Sequence, residues 1–276
     1  VFDTIGAMAM DIQGNPKEII QKTASYGCNA VELVMGMNAS KEDLPVLQEA
    51  CEKSGIEIIA INTTDRGLSS FDDDEAERGR RVFGEVLDFA SAAGASYAVI
   101  YCVFEVQSQD EIDRSVDRFA RNIGPIVARA EQEGITLVLE NEPHGITNDP
   151  YNVLKIVETI GSTSFGVNFD PDNFYNGDVE PFPYAYRLLK DHIAYVHAKD
   201  SVHYVPELYG PQEFVLKRAI DALCVPLGRG ALNWDGICRS LAEDEYAGPV
   251  VIETHIRQSE VDEGFHRGVE FLKRYR

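Results

Sequence analysis

The sequence predicts a single (β/α)8 barrel over residues 1–276, and three observations point there. Eight short apolar runs alternate with eight stretches of helical spacing from one end of the chain to the other. The runs are almost continuously hydrophobic, as expected of a parallel sheet covered by helices. The length of 276 residues also suits one such barrel, which typically needs about 250.

The strand-like runs fall at 4–9, 30–35, 56–62, 97–104, 135–140, 165–170, 193–198 and 249–254. Each is rich in β-branched or aromatic residues and is bounded by Gly, Asn, Asp or Pro. Helical spacing covers Lys17–Tyr26, Glu42–Ser54, Asp72–Ala93, Gln109–Glu133, Tyr151–Ile160, Pro181–Asp191, Trp234–Glu243 and Glu260–Tyr275. Pro16, Pro150 and Pro181 stand in first turns, and Gly27, Gly55 and Gly134 follow helix ends. Connections are short except between Ser201 and Asn233, where a helical piece is expected near Phe214–Leu223. Long loops at the strand-exit face of a barrel usually serve the active site.

Composition narrows the partners. With 25 Lys+Arg against 46 Asp+Glu the formal net charge is −21, which opposes binding to nucleic acid or to acidic membranes. No apolar run reaches the roughly 18 residues of a membrane helix. Five cysteines (Cys28, Cys51, Cys102, Cys224, Cys238) lack a C-x-x-C pair and sit among apolar or small residues, so buried free thiols are expected. Together with the absence of a visible signal peptide, this predicts a cytoplasmic protein. A small-molecule partner is favoured, and a homo-oligomer is compatible with it.

The chemistry gathers at the ends of the last four strands. Strand five ends in Glu140, strand six in Asp170, strand seven carries His197, and strand eight ends in Glu253. Side chains alternate along a strand, so all four can point to the barrel axis at one level. Buried carboxylates at apolar strand ends need a compensating charge, and one divalent cation supplies it. Any one of these residues alone would read as a cap or a satisfied polar contact; the shared register is what singles them out. Three oxygen donors and one nitrogen suit Mn²⁺, Mg²⁺ or Co²⁺, with Zn²⁺ a further fit. Among candidate substrate contacts, Glu32 ends strand two and could equally bridge to a neighbouring base, and Lys199 shares the inward parity of His197, against a structural ion pair. His144 and His255 sit at strand exits, where a lone histidine is usually just hydrogen-bonded. Gly228-Arg229-Gly230 lacks the third glycine of a dinucleotide fingerprint. Trp234 reads as packing or an apolar sugar platform.

These motifs resemble the xylose isomerase-like barrel superfamily. It takes in sugar phosphate isomerases and epimerases, tagatose-type 3-epimerases, inosose dehydratase and endonuclease IV-type repair enzymes. The resemblance spans nearly the whole chain. It is carried by VLENEPHG at 138–145, NFDPDNFYNGD at 168–178, YVHAKD at 195–200, PLGRGALNW at 226–234 and VVIETH at 250–255. It implies Glu140, Asp170, His197 and Glu253 as ligands of one divalent metal, with Glu140 and Glu253 as the catalytic acid/base pair. Two further positions that touch substrate in relatives hold Asn173, in place of a histidine, and His203, in place of an arginine. The expected activity is sugar isomerisation or epimerisation by proton abstraction next to a carbonyl, through a metal-stabilised enediolate. A lyase acting on a keto-inositol or an oxidised glycoside would use the same groups. A carbohydrate-binding barrel without catalysis would not need two intact glutamates. The nuclease branch requires histidines where this chain reads Asn62-Thr63-Thr64 and Tyr101-Cys102-Val103.

Overall fold

Parallel pairing runs unbroken round eight strands in the computed structural model, which describes residues 2–106, 108–212 and 215–275. The first half runs β1 (Ile5–Met8), α1 (Pro16–Ser25), β2 (Ala30–Met35), α2 (Leu44–Ser54), β3 (Glu57–Thr63), α3 (Asp73–Ala93), β4 (Tyr97–Tyr101) and α4 (Gln109–Glu133). It continues through β5 (Thr136–Glu140), α5 (Pro150–Ile160), β6 (Phe165–Phe169), α6 (Pro171–Asn176), α7 (Tyr186–Leu189) and β7 (Ile193–Ala198). An excursion follows: β8 (Asp200–His203), α8 (Pro206–Tyr209), β9 (Leu216–Lys217) and β10 (Asp221–Val225). The chain then closes through α9 (Trp234–Glu243), β11 (Val250–Ile252) and α10 (Val261–Lys273). Around the barrel the order is β1-β2-β3-β4-β5-β6-β7-β11, with β11 pairing back onto β1.

Local chemistry explains where the elements begin and end. Asn15 and Glu18 form a reciprocal capping box before α1, and Ser108 with Glu111 does the same for α4. Helix α4 ends on Gly134 in the left-handed region (φ 70°), where a side chain would be strained.

Strand alternation divides the core in two. Inward residues Ala30, Val99, Val138, Tyr195 and Val251 pack inside the barrel. Outward residues such as Leu137, Val167 and Ile252 pack with Phe83, Phe119, Trp234 and Phe265 of the helical ring. Two positions further along the inward faces, apolar residues give way to polar ones, which is what places a site at the strand exits.

Three expectations change. The 201–233 stretch holds no helix over 215–223: β9 and β10 join β8 in an antiparallel sheet, and Phe214 lies outside the described residues. The pattern at 221–225 has a period of two, with Ala222 and Cys224 buried between half-buried neighbours. Residues 171–176, which none of the expected helices covers, form α6. The 181–191 helix is broken at Phe182 (φ −145°, ψ 129°), because a residue preceding proline is turned away from helical angles. All five cysteines are buried and free. Among the described residues no helix is long and apolar enough to cross a membrane.

Candidate metal centre and active-site cavity

Glu140, Asp170, His197 and Glu253 converge where β5, β6, β7 and β11 end. One donor atom from each lies within 4.8 Å of the other three, and all four side chains are buried. Register produces this meeting. Glu140 pairs with Asn168, so Asp170 projects one inward step above it. Val251 pairs with His197, and Glu253 is the next inward residue beyond Val251.

Each member is fixed by its neighbours. His197 is contacted at Nε2 by Glu32 Oε2 (2.8 Å), while Nδ1 faces Glu140 Oε1 at 3.3 Å and Glu253 Oε2 at 3.5 Å. Donation from Nε2–H to Glu32 leaves Nδ1 as the acceptor facing the cluster, where the Asn168 Nδ2 amide also meets it at 3.1 Å. Asp170 divides its oxygens. Oδ1 accepts the backbone N–H groups of Asp172 (2.8 Å) and Asn173 (3.0 Å), capping α6, while Oδ2 faces the cluster. Asn141 holds the Asp170 backbone from β5, donating to its carbonyl and accepting its N–H, both at 2.9 Å.

The electrostatics call for positive charge. Burial alone would push the His197 imidazole down, but Glu32 and Glu140 beside it hold its pKa well above the ordinary value. Lys199 behaves likewise, raised by Asp170 and Glu253 against the effect of burial. Its Nζ lies 2.8 Å from Asp170 Oδ2 and 3.2 Å from Glu253 Oε2. Burial also works to raise the Glu253 carboxyl, yet Lys199 and His255 hold it well below the usual carboxylate range. Glu140 Oε2, almost completely buried, has no hydrogen-bond partner at all among the described residues. Three carboxylates, one oriented imidazole nitrogen and an orphaned oxygen fit a divalent cation.

The cluster opens into a cavity of about 480 Å³, within the size range of small-molecule sites. Glu140, Asn173, Lys199 and Glu253 line it, so the structure brings these predicted residues together. Asn173 Nδ2 donates to Glu140 Oε1 (3.2 Å) and its Oδ1 accepts from Lys199 (3.1 Å).

Three predicted substrate contacts are placed elsewhere. Glu32 is fully buried and its carboxylate is taken by Asn62, Tyr195 and His197 at 2.7, 2.8 and 2.8 Å, so it orients His197 and leaves the cavity wall to others. His203 stands exposed at the end of β8, because the chain turns into a β-sheet after Lys199 and carries it away from the axis. His144 is partly exposed beside Glu142, outside the cavity lining.

Other residues of the wall were not among the predicted substrate contacts. Arg66, three residues beyond β3, stacks over the Tyr101 ring at 3.3 Å and pairs with Glu142 at 3.1 Å. Position just past a strand exit is the signal that could have found it. His255 contacts both Glu253 and Asp11 and is raised to about 10: burial opposes the proton, but the two carboxylates outweigh it. Lys217 and Arg218 reach the cavity from the antiparallel sheet. Trp234 is packing, with its Nε1–H donating to the Lys199 carbonyl at 3.0 Å.

A closed barrel with three carboxylates and an imidazole gathered above its apolar interior belongs to the class of (β/α)8 barrels with a polar site at the strand exits. Residues 20–275 match the family described as xylose isomerase-like TIM barrel, and the chain belongs to that family. A D-psicose 3-epimerase of Enterocloster bolteae is 23% identical over 257 residues, covering 88% of this chain and 77% of the relative. A D-tagatose 3-epimerase-like protein superposes with a TM-score of 0.77 at 22% identity, covering 99% of this chain and 96% of that one. The IOLI protein, solved with a bound zinc atom, gives a TM-score of 0.77 at 19% identity and 99% coverage of both chains.

Proposed function

We propose that this chain is a divalent-metal-dependent isomerase or epimerase of a sugar or related polyol. The observation that carries the reading is the convergence of Glu140, Asp170, His197 and Glu253, of which Glu140 and Glu253 line a cavity. The similarity to a 3-epimerase and to a zinc-bound barrel supports it. Mn²⁺, Mg²⁺, Co²⁺ and Zn²⁺ all suit this donor set.

When bound, the ion supplies Lewis acidity to neighbouring substrate oxygens. Asp170 and His197 would hold it, with Glu32 keeping His197 in the tautomer that offers Nδ1. Glu140 and Glu253 stand on strands separated by β6 and β7, so they reach a substrate between them from different sides. One carboxylate would take the proton next to the carbonyl and the other would return it. Lys199 and Asn173 are placed to bind substrate oxygens from the α6 side of the cavity.

The test is solvent-deuterium incorporation into trial ketoses by protein reconstituted with Mn²⁺, alongside elemental analysis. The expected result is close to one ion per chain and deuterium at the carbon next to the carbonyl. Loss of water or of a leaving group along with exchange would reassign the reaction to a lyase. No bound ion and no exchange would overturn the reading.

A further inference from the structure

We propose that the substrate of this cavity carries an anionic group, phosphate or carboxylate, which seats against Lys217 and Arg218. The inference rests on the small-molecule reading above and specifies the class of molecule.

The cavity wall contains five basic side chains: Arg66, Lys199, Lys217, Arg218 and His255. Three are already neutralised. Arg66 pairs with Glu142, Lys199 with Asp170 and Glu253, and His255 with Glu253 and Asp11. Lys217 and Arg218 have no carboxylate in ion-pair contact among the described residues, and the polar contact seen for the Arg218 guanidinium is with the Lys217 carbonyl (3.0 Å). In a chain of net charge −21, two adjacent cations without an ion pair among the described residues, on the wall of the cavity that Glu140 and Glu253 line, form a local positive site in a repelling field.

The turn carrying them is fastened. Asn176, at the end of α6 and fully buried, donates from Nδ2 to the carbonyls of Leu216 (3.2 Å) and Ile220 (2.6 Å). Its own carbonyl accepts the Ile220 N–H at 3.0 Å. Three hydrogen bonds therefore bracket Lys217 and Arg218 and hold their backbone at the cavity. Asn176 also lines the cavity, and its Oδ1 is buried without a hydrogen-bond partner among the described residues. Helix α6 thus begins on Asp170 at the cluster and ends on the residue that anchors the cations. A polyol with its carbonyl at the cluster and its anionic end under the turn would use both ends of this helix. Arginine offers forked donors to either anion, with lysine as a point charge.

The experiment compares matched pairs by calorimetry at low ionic strength: D-fructose with D-fructose 6-phosphate, and D-galactose with D-galacturonate. Each pair is titrated into metal-free and Mn²⁺-reconstituted protein. At least one anionic member should bind about tenfold or more tightly than its neutral partner, and about 0.5 M salt should shrink the ratio. In the double variant Lys217→Ala/Arg218→Ala the ratio should collapse toward one, with ion stoichiometry retained. Which pair shows the preference tells phosphate from carboxylate. Equal binding within both pairs, or a preference that survives in the double variant, would overturn the inference. Absence of any preference in the unsubstituted protein, with ion binding and deuterium exchange intact, sinks this proposal alone. An intact preference in protein that binds no ion sinks only the metal reading.

Discussion

The two halves of the barrel rim carry different things. From β5 round to β11 the inward residues at the exits are Glu140, Asp170, His197 and Glu253, whereas β1 to β4 present Met8, Val34, Asn62 and Tyr101. Yet the second group is tied to the first. Asn62 accepts from the Tyr101 hydroxyl at 2.9 Å and donates to Glu32 at 2.7 Å, and Glu32 in turn contacts His197 at 2.8 Å. One half supplies the groups that would meet the ion and substrate, and the other sets the orientation of one of them. A rim built this way allows the reacting groups to be fixed from a distance, since the hydrogen-bond chain itself is buried and shielded from water.

The sharpest way to break this contrast is at the glutamates. Glu253→Gln and Glu140→Gln keep shape but remove the basic site, so turnover at saturating Mn²⁺ should fall about 10²–10⁴-fold. Near-normal rates in both variants would leave the cluster as a binding element only. Beneath the rim, Leu137→Ala on the outward face of β5 should cost about 2–5 kcal/mol in urea unfolding while leaving ion stoichiometry unchanged. If it emptied the site, the separation between packing and chemistry would fail. In the other half, Glu32→Gln should weaken ion affinity roughly tenfold to hundredfold, measured by competition with a chelator. An unchanged affinity would show that the relay from β2 has no bearing on His197. The smallest effect concerns Asp200, whose carboxyl is raised from 3.8 to about 6 by burial, against the opposing N–H donors of Gly230, Leu232 and Gly228. A raised value means the folded chain holds this proton more tightly than the unfolded chain does. Its contribution to stability is therefore complete below about pH 4 and is lost as pH rises through about 6. Carbon-13 titration of the side chain should show that midpoint; one near 3.8 would refute it.

Much of this was legible beforehand, and for a physical reason. A strand buried on both faces must be apolar along its length, so a Glu, Asp or His at its end stands out against the run before it. That contrast exposed Glu140, Asp170, His197 and Glu253, together with the eight barrel strands. Glu32 was seen with two readings open, a substrate contact or a bridge to a neighbouring base, because sequence shows that a carboxylate ends a strand and not that Asn62, Tyr195 and His197 already occupy it. Helix α6 was missed because Pro171–Asn176 is too short and polar to show a period. The sheet of β8, β9 and β10 was missed because β8 pairs with β10 across the intervening α8 and β9, and two of its strands are only two and four residues long. His203 went astray with it: spacing counted along the chain from His197 carries no information once the backbone leaves the barrel.

Asp170 gives one oxygen to the start of a helix and the other to the cluster. Among the four it is the member with the least freedom to drift. Exchanging it for glutamate would move both oxygens by a methylene and unsettle α6 as well as the cluster, whereas the other three answer to the site with fewer obligations to the backbone. Lineages that retune such a barrel toward a new reaction can vary Asn173, Lys199 or the Lys217–Arg218 turn one at a time, but a change at Asp170 alters the scaffold in the same stroke. That makes this aspartate the fixed point from which substitutions elsewhere in the cavity are measured.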